Sequence, residues 1–289
     1  MVRQMKKLNI DYYGYIEIGS DDLSLAEVYQ NPAVNPYGLQ ENGYLIVKAD
    51  GKASDIMKWQ NERFKKVVPI TIDDTFHGKI KPLNPEQVCA VDMLTDTKTT
   101  VKVITGNWGS GKSFLSMACA FRGLSKGLFD KIVFVHNNIE TKNSSPIGYL
   151  KGSYYEKMEP WCMMIADYLG DKDMLQVFLD RGSIQVEHLG FLRGRSFSNS
   201  VIWVTEAQNL TRDHMQLLLG RVGEGSVLIL DGDARLEQID RKTFEDDNGL
   251  CSVISHLKGN RLFGYVHLRE SVRSETAKLA DLLDKNEGE

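Results

Sequence analysis

The chain has 289 residues, 42% hydrophobic and 26% charged, with a formal net charge of −4. That length allows one full α/β core and a small second module, and the balance is ordinary for a globular protein. No run approaches the roughly 18 apolar residues of a membrane span, and the basic start Met1 to Lys7 leads into a polar, tyrosine-rich stretch rather than a secretory apolar run. Cys89, Cys119, Cys162 and Cys251 are widely spaced without CxxC pairs. Reduced thiols in a cytoplasm are therefore expected, with neither a disulfide framework nor a zinc site. The small negative charge excludes a uniformly basic coat but not a local basic groove.

In chain order, short strands are expected at Tyr12 to Ile18, Gly43 to Lys48 and Val67 to Ile72, with a helix over about Ser20 to Gln30. Residues 1–77 read as a small β-rich N-terminal module, or alternatively as an irregular extension packed on the main domain. From residue 78 to 289 strands and helices alternate. Strands are expected at Val101 to Thr105, Ile132 to Val135, Ile184 to Glu187, Val201 to Thr205, Val227 to Leu230 and Gly264 to Leu268. Helices are expected at Phe114 to Leu124, Glu156 to Leu169, Asp173 to Leu179, Arg212 to Arg221, Leu250 to Leu257 and Glu275 to Asp284. Short β-branched strands with helices between them predict an α/β fold, a mostly parallel sheet covered on both faces.

The segment Gly106-Asn107-Trp108-Gly109-Ser110-Gly111-Lys112-Ser113 follows one such strand and opens an apolar helix. G-x-x-x-x-G-K-S in that context is a phosphate-binding loop: glycines let successive N–H groups face phosphates at a helix N-terminus. Lys112 is expected to reach the β and γ phosphates of ATP, and the Ser113 hydroxyl to ligate magnesium. The bland alternative is a glycine-rich turn with an exposed lysine. Val201-Ile-Trp-Val-Thr-Glu206 supplies a second strand ending in an acid. There Glu206 would orient the attacking water, and Thr205 occupies the place of the usual metal-facing aspartate. A hydroxyl there brings no charge, so weak magnesium binding is expected. Val227 to Asp233 ends in two carboxylates, and Asp233 is the candidate to sense the γ-phosphate and to replace part of the missing charge.

These pieces, in order, resemble the PhoH family of P-loop ATPases, which are related in motif to superfamily-one RNA helicases. The resemblance rests on Lys81-Pro-Leu-Asn-Pro-Glu-Gln87, Ile147-Gly-Tyr-Leu-Lys-Gly152, Glu156-Lys-Met-Glu-Pro-Trp161, Leu192-Arg-Gly-Arg-Ser196, Thr205-Glu-Ala-Gln-Asn-Leu-Thr211, Gly220-Arg-Val-Gly-Glu-Gly225 and Arg273-Ser-Glu-Thr-Ala-Lys-Leu-Ala280. It implies a RecA-like fold and a Gln87 that contacts adenine. Asn42 to Lys48 with Gly51 to Ser54 resembles the connecting β module of the branch that carries a PIN ribonuclease domain, and no room for that domain is expected before it. Thr205, Asn137-Asn138 and the late Gln238 depart from the family pattern, which bears on turnover and RNA coupling more than on ATP binding.

Arg221 and Arg273 are the candidate arginine fingers. With a single ATPase core the finger is expected from a neighbouring subunit, so a homo-oligomer, a hexameric ring, is expected. Arg193 and Arg195 read equally as grips on RNA phosphates or on a neighbouring subunit's site, or as a solvated, salt-bridged loop. Lys48 to Lys66 carries six basic against three acidic residues, with Trp59 and Phe64 among them. It reads as a single-stranded RNA or DNA surface or, more plainly, as core and solvated face. The six histidines show no metal spacing. The functional expectation is an RNA- or single-strand-stimulated ATPase or helicase; the alternatives are a slow-turnover, nucleotide-gated assembly module and a small-molecule kinase.

Overall fold

A computed structural model describes residues 12–136, 154–233, 239 and 242–272. Strands β1 (Tyr15–Gly19), β2 (Tyr44–Ala49), β3 (Lys52–Trp59) and β4 (Phe64–Lys66) form one sheet in that order, with β1 parallel to β2 and the rest antiparallel. Helix α1 (Leu23–Gln30), capped by Asp22, makes the crossover between the parallel pair. Alternation along β2 explains the packing: Leu45 and Val47 face α1 through Leu25 and Val28, while Tyr44 and Ile46 face the main core.

The second sheet is wholly parallel, in the order β12 (Phe263–Leu268), β7 (Val101–Gly106), β11 (Val227–Gly232), β10 (Ser200–Val204), β8 (Lys131–His136), β9 (Ile184–His188). A hairpin of β5 (Ile72–Asp74) and β6 (Gly78–Ile80) precedes it. Helices α2 (Pro85–Thr95), α3 (Lys112–Ser125), α4 (Tyr154–Leu169) and α5 (Lys172–Asp180) lie on one face; α6 (Arg212–Leu219) and α8 (Gly249–Leu257) lie on the other, with the short α7 (Lys242–Asp246) leading into α8. Val227 and Ile229 enter the first core, Leu228 and Leu230 the second. This is the α/β architecture expected from the sequence, and its strand order brings the C-terminal ends of β7, β11 and β10 side by side.

Three local expectations change. Val67 to Ile72 is not one strand: it contains Pro69, which donates no ladder bond, and the pairing residues lie on either side, in β4 and β5. Strand β3 follows a hairpin turn in which Asp50 and Gly51 both have positive φ (50° and 74°), the geometry of a tight two-residue turn. Helix α2 starts where Asn84 caps Pro85 and accepts from the Gln87 N–H at 2.9 Å. The expected helix Glu275 to Asp284 lies outside the described residues, as do Arg273, Asn137-Asn138 and the Ile147 to Gly152 motif.

The N-terminal sheet is bonded into the main core through α2. Tyr15 Oη donates to Glu86 (2.8 Å), Tyr44 Oη to Asp92 (2.7 Å), and the buried Lys58 pairs with Asp92 (3.2 Å) and Asp96 (2.9 Å). Asn42 Nδ2 donates to the carbonyls of Arg261 and Phe263 just before and at the start of β12. The division set at 77/78 falls inside the β5–β6 hairpin.

Candidate nucleotide and metal site

The phosphate loop leaves β7 and enters α3 without a side-chain cap: Gly111, in the left-handed region at φ 89°, precedes the first turn, which holds no acid. The first-turn N–H groups and the positive end of the helix dipole therefore remain for an anion. Gly106 must be glycine for a steric reason, since a Cβ there would sit 2.6 Å from the Leu268 carbonyl oxygen and 2.7 Å from Ser110 Oγ. Ser110 is fully buried and its hydroxyl has no hydrogen-bond partner among the described residues.

Two neighbours hold the loop in place. Gln87 accepts from the Leu83 N–H (2.9 Å) and donates Nε2 to the Ser110 carbonyl (3.0 Å), so its amide ties the α2 lead-in to the loop. Beyond β12, Ser271 Oγ donates to the Trp108 carbonyl (3.3 Å) and the Val272 N–H to that of Gly109 (2.9 Å). That strap is anchored by Glu86, 2% exposed, which accepts from the Arg269 N–H (2.7 Å), Arg269 Nε (2.8 Å) and the Glu270 N–H (3.3 Å). Arg269 also pairs with Glu17 of β1 at 2.6 Å. One buried carboxylate thus connects the N-terminal sheet, α2 and the strap against the phosphate loop; sequence reading used Gln87 and passed over Glu86.

The Ser113 hydroxyl donates to Asp231 Oδ1 at 3.4 Å, and Trp203 Nε1 donates to Asp231 Oδ2 at 2.8 Å. Burial pushes the Asp231 carboxyl up to about 7, even though Lys112, the Trp203 N–H and Ser113 pull it down. The carboxylate beside Ser113 is therefore Asp231, two residues before the Asp233 that sequence reading favoured. Strand adjacency decides this, because β11 lies directly against β7 with Asp231 paired to Ile104.

Thr205, 5% exposed, follows β10, and Glu206 after it is exposed and left-handed (φ 52°). For a non-glycine residue that backbone is uncommon and marks sites where position matters more than ease. Glu206 Oε2 accepts from Gln208 Nε2 at 2.6 Å, and Gln208 Oε1 accepts from the Asp233 N–H at 3.0 Å. A continuous chain thus runs from Glu206 to the end of β11, and Asn248 holds its centre by donating to the Gln208 carbonyl at 2.9 Å.

The structure does not bring Arg221 to this cluster. Its backbone carbonyl accepts from the Phe197 N–H and its NH1 donates to the Arg195 carbonyl at 2.8 Å, both just before β10 begins. Arg221 thus lies at the end of the parallel sheet opposite the phosphate loop. Arg195 pairs with Glu187 at 2.5 Å and lies over the Phe197 ring, the ion-paired loop reading; Arg193 is exposed. In the N-terminal sheet Lys48 pairs with Glu17, the exposed Lys66 with Asp55, and Trp59 packs edge-on to Phe64; Lys52, Arg63 and Lys65 are exposed as well.

The donor set fits a magnesium nucleotide: an uncapped helix N-terminus with Lys112 for phosphate, and a hydroxyl beside a buried acid for the dication. Among the described residues no three His, Cys, Asp or Glu side chains form a group that could hold a metal ion. No disulfide joins any of the four cysteines, and no described helix is long and apolar enough to cross a membrane.

The family profile described as PhoH-like protein matches residues 79–283. Protein PhoH2 of Bacillus subtilis (strain 168) is 32% identical over 278 residues, 92% of this chain and 60% of that protein. Protein PhoH2 of Mycolicibacterium smegmatis is 33% identical over 218 residues, 74% of this chain and 49% of that protein. A PhoH-like protein of Bacillus subtilis is 33% identical over 138 residues, 47% of this chain and 42% of that protein. The chain spans between 42% and 60% of the length of these relatives.

Proposed function

The chain belongs to the PhoH-like family, a P-loop ATPase family with a RecA-like fold, and from that premise we propose that it binds and hydrolyses magnesium ATP in a cytoplasm. The observation that carries the reading is the convergence, at one end of the parallel sheet, of the uncapped loop with Lys112 and Ser113, the Asp231 carboxylate beside Ser113, and the Glu206–Gln208–Asp233 chain. Lys112 and the loop N–H groups bind and hold the phosphates. Magnesium, when bound through Ser113, supplies charge neutralisation for the terminal phosphates. Glu206, fixed by Gln208, accepts a hydrogen bond from the attacking water and orients it. Gln208 links that acid to Asp233, so a change at the γ-phosphate end of β11 is passed to Glu206 through two hydrogen bonds.

Hydrolysis in this reading belongs to a homo-oligomeric ring and is stimulated by single-stranded RNA or DNA. Arg221 does not reach the site of its own chain, so in this reading it would act on a phosphate held by a neighbouring subunit. The opposing reading, a nucleotide-gated module of slow turnover, is favoured by Thr205 in the usual aspartate position. Steady-state ATP hydrolysis with and without single-stranded RNA separates the two. Stimulated turnover supports the first; tight binding with negligible turnover under both conditions supports the second.

A further inference from the structure

The pairing of β10 with β11 runs from Val201 with Val227 to Val204 with Leu230, so the next step sets Thr205 beside Asp231. Partners in parallel strands point to the same face. Trp203 and Ile229, two residues earlier on each strand, both enter the core beneath α3; Asp231 meets Ser113 of α3 on that face, and the same register continued one step would turn Thr205 to it as well. A carboxylate at 231 instead of 205 is displaced by one strand spacing, about 4.8 Å, at the same height and toward β7. There Asp231 is 1% exposed, and its hydrogen bonds among the described residues are the two from Trp203 and Ser113. An ionised carboxylate offers about four acceptor positions, so roughly half remain open to a cation or to the waters around one.

We infer that Asp231 supplies the carboxylate that orients the magnesium shell, so that the metal-facing acid of this chain stands on β11 rather than on β10. The assignment rests on the magnesium ATP reading above. Trp203 makes Asp231 a fixed group, since its indole N–H holds Oδ2 and leaves Oδ1 toward Ser113. Thr205 then fills the neighbouring place with a neutral hydroxyl, which avoids setting two carboxylates one strand apart in a buried site.

The test is a magnesium titration of the binding of a fluorescent ATP analogue, a readout independent of turnover. Asp231→Asn keeps an acceptor for Trp203 and removes the charge. Loss of a group that orients metal ligands typically costs 10- to 100-fold in metal affinity, and a rise of roughly that size in the half-saturating magnesium is expected. Adding Thr205→Asp to Asp231→Asn is expected to recover most of that loss, whereas Thr205→Asp alone is expected to shift the half-point by less than about threefold. An unchanged half-point in Asp231→Asn overturns the assignment. So does a tenfold gain from Thr205→Asp alone, which would show the metal-facing place on β10 to be vacant; this arm decides even if Asp231→Asn does not fold. If the parent protein binds the analogue without any response to magnesium, the magnesium ATP reading fails, and the assignment with it.

Discussion

Lys102 lies in β7, the strand that carries the phosphate loop, and is 1% exposed; its Nζ donates to the Leu94 carbonyl at the end of α2 at 2.6 Å. Burial lowers its pKa from 10.5 to about 8. At about 1.4 kcal/mol per pH unit, that is about 3 kcal/mol against the charged form in the folded state. Lys102→Met removes this penalty and fills the same space, but leaves the Leu94 carbonyl without its donor, a loss of about 2 kcal/mol. At pH 7 both folded and unfolded parent keep the proton, the full penalty is present, and the variant should be more stable by about 1 kcal/mol. Between pH 8 and 10.5 the unfolded chain binds the proton and the folded chain releases it, so the parent gains stability as pH rises. At pH 10 most of the penalty is gone, and the order should reverse, the variant being less stable by about 1 kcal/mol. Urea unfolding of both proteins at the two pH values, followed by circular dichroism, measures the difference directly. A difference of the same sign and size at both pH values would refute the argument that a buried ammonium sets this stability.

Glu86→Gln keeps one acceptor and loses the charge shared by Tyr15, Arg269 and Glu270. It should lower stability by about 2–4 kcal/mol and weaken ATP-analogue binding severalfold by loosening the strap against Trp108 and Gly109; thermal unfolding and an analogue titration check both. Gly14→Ala puts a Cβ 1.7 Å from the Tyr265 carbonyl oxygen at a φ of 82°. It should cost about 3 kcal/mol or more, seen as a lower unfolding midpoint and faster proteolysis of the N-terminal sheet. Arg221→Ala mixed with Lys112→Ala should hydrolyse ATP although neither does so alone, because one interface then has an intact loop facing an intact arginine. Parental activity in Arg221→Ala alone would remove it as a finger.

The phosphate loop was legible because its chemistry is local: six residues of backbone, a lysine and a serine at fixed spacing between strand and helix. Gly111 and Gly109 have the positive φ that such a curl needs. Asp231 was not legible in the same way, since its role depends on β11 lying between β7 and β10. Once that order is known, the alternation Val227, Ile229, Asp231 against Val201, Trp203, Thr205 places it. In the sequence Asn84-Pro85-Glu86-Gln87 reads as part of a family motif; in the fold it is the capped start of α2, and only that placement makes Glu86 a buried hub. Strand β3 was missed because its first residues are exposed and carry Lys52, Ser54 and Asp55 without clear alternation. The turn before it held the signal.

The central claim is that the Gly106 to Ser113 loop holds the phosphates of ATP. Calorimetric titration of the parent and of Lys112→Ala with ATP and magnesium tests it most directly. Saturable binding to the parent is expected and, with the fold intact by circular dichroism, at least about tenfold weaker binding to Lys112→Ala, a difference of about 1.4 kcal/mol or more. Equal affinity in the two folded proteins would contradict it.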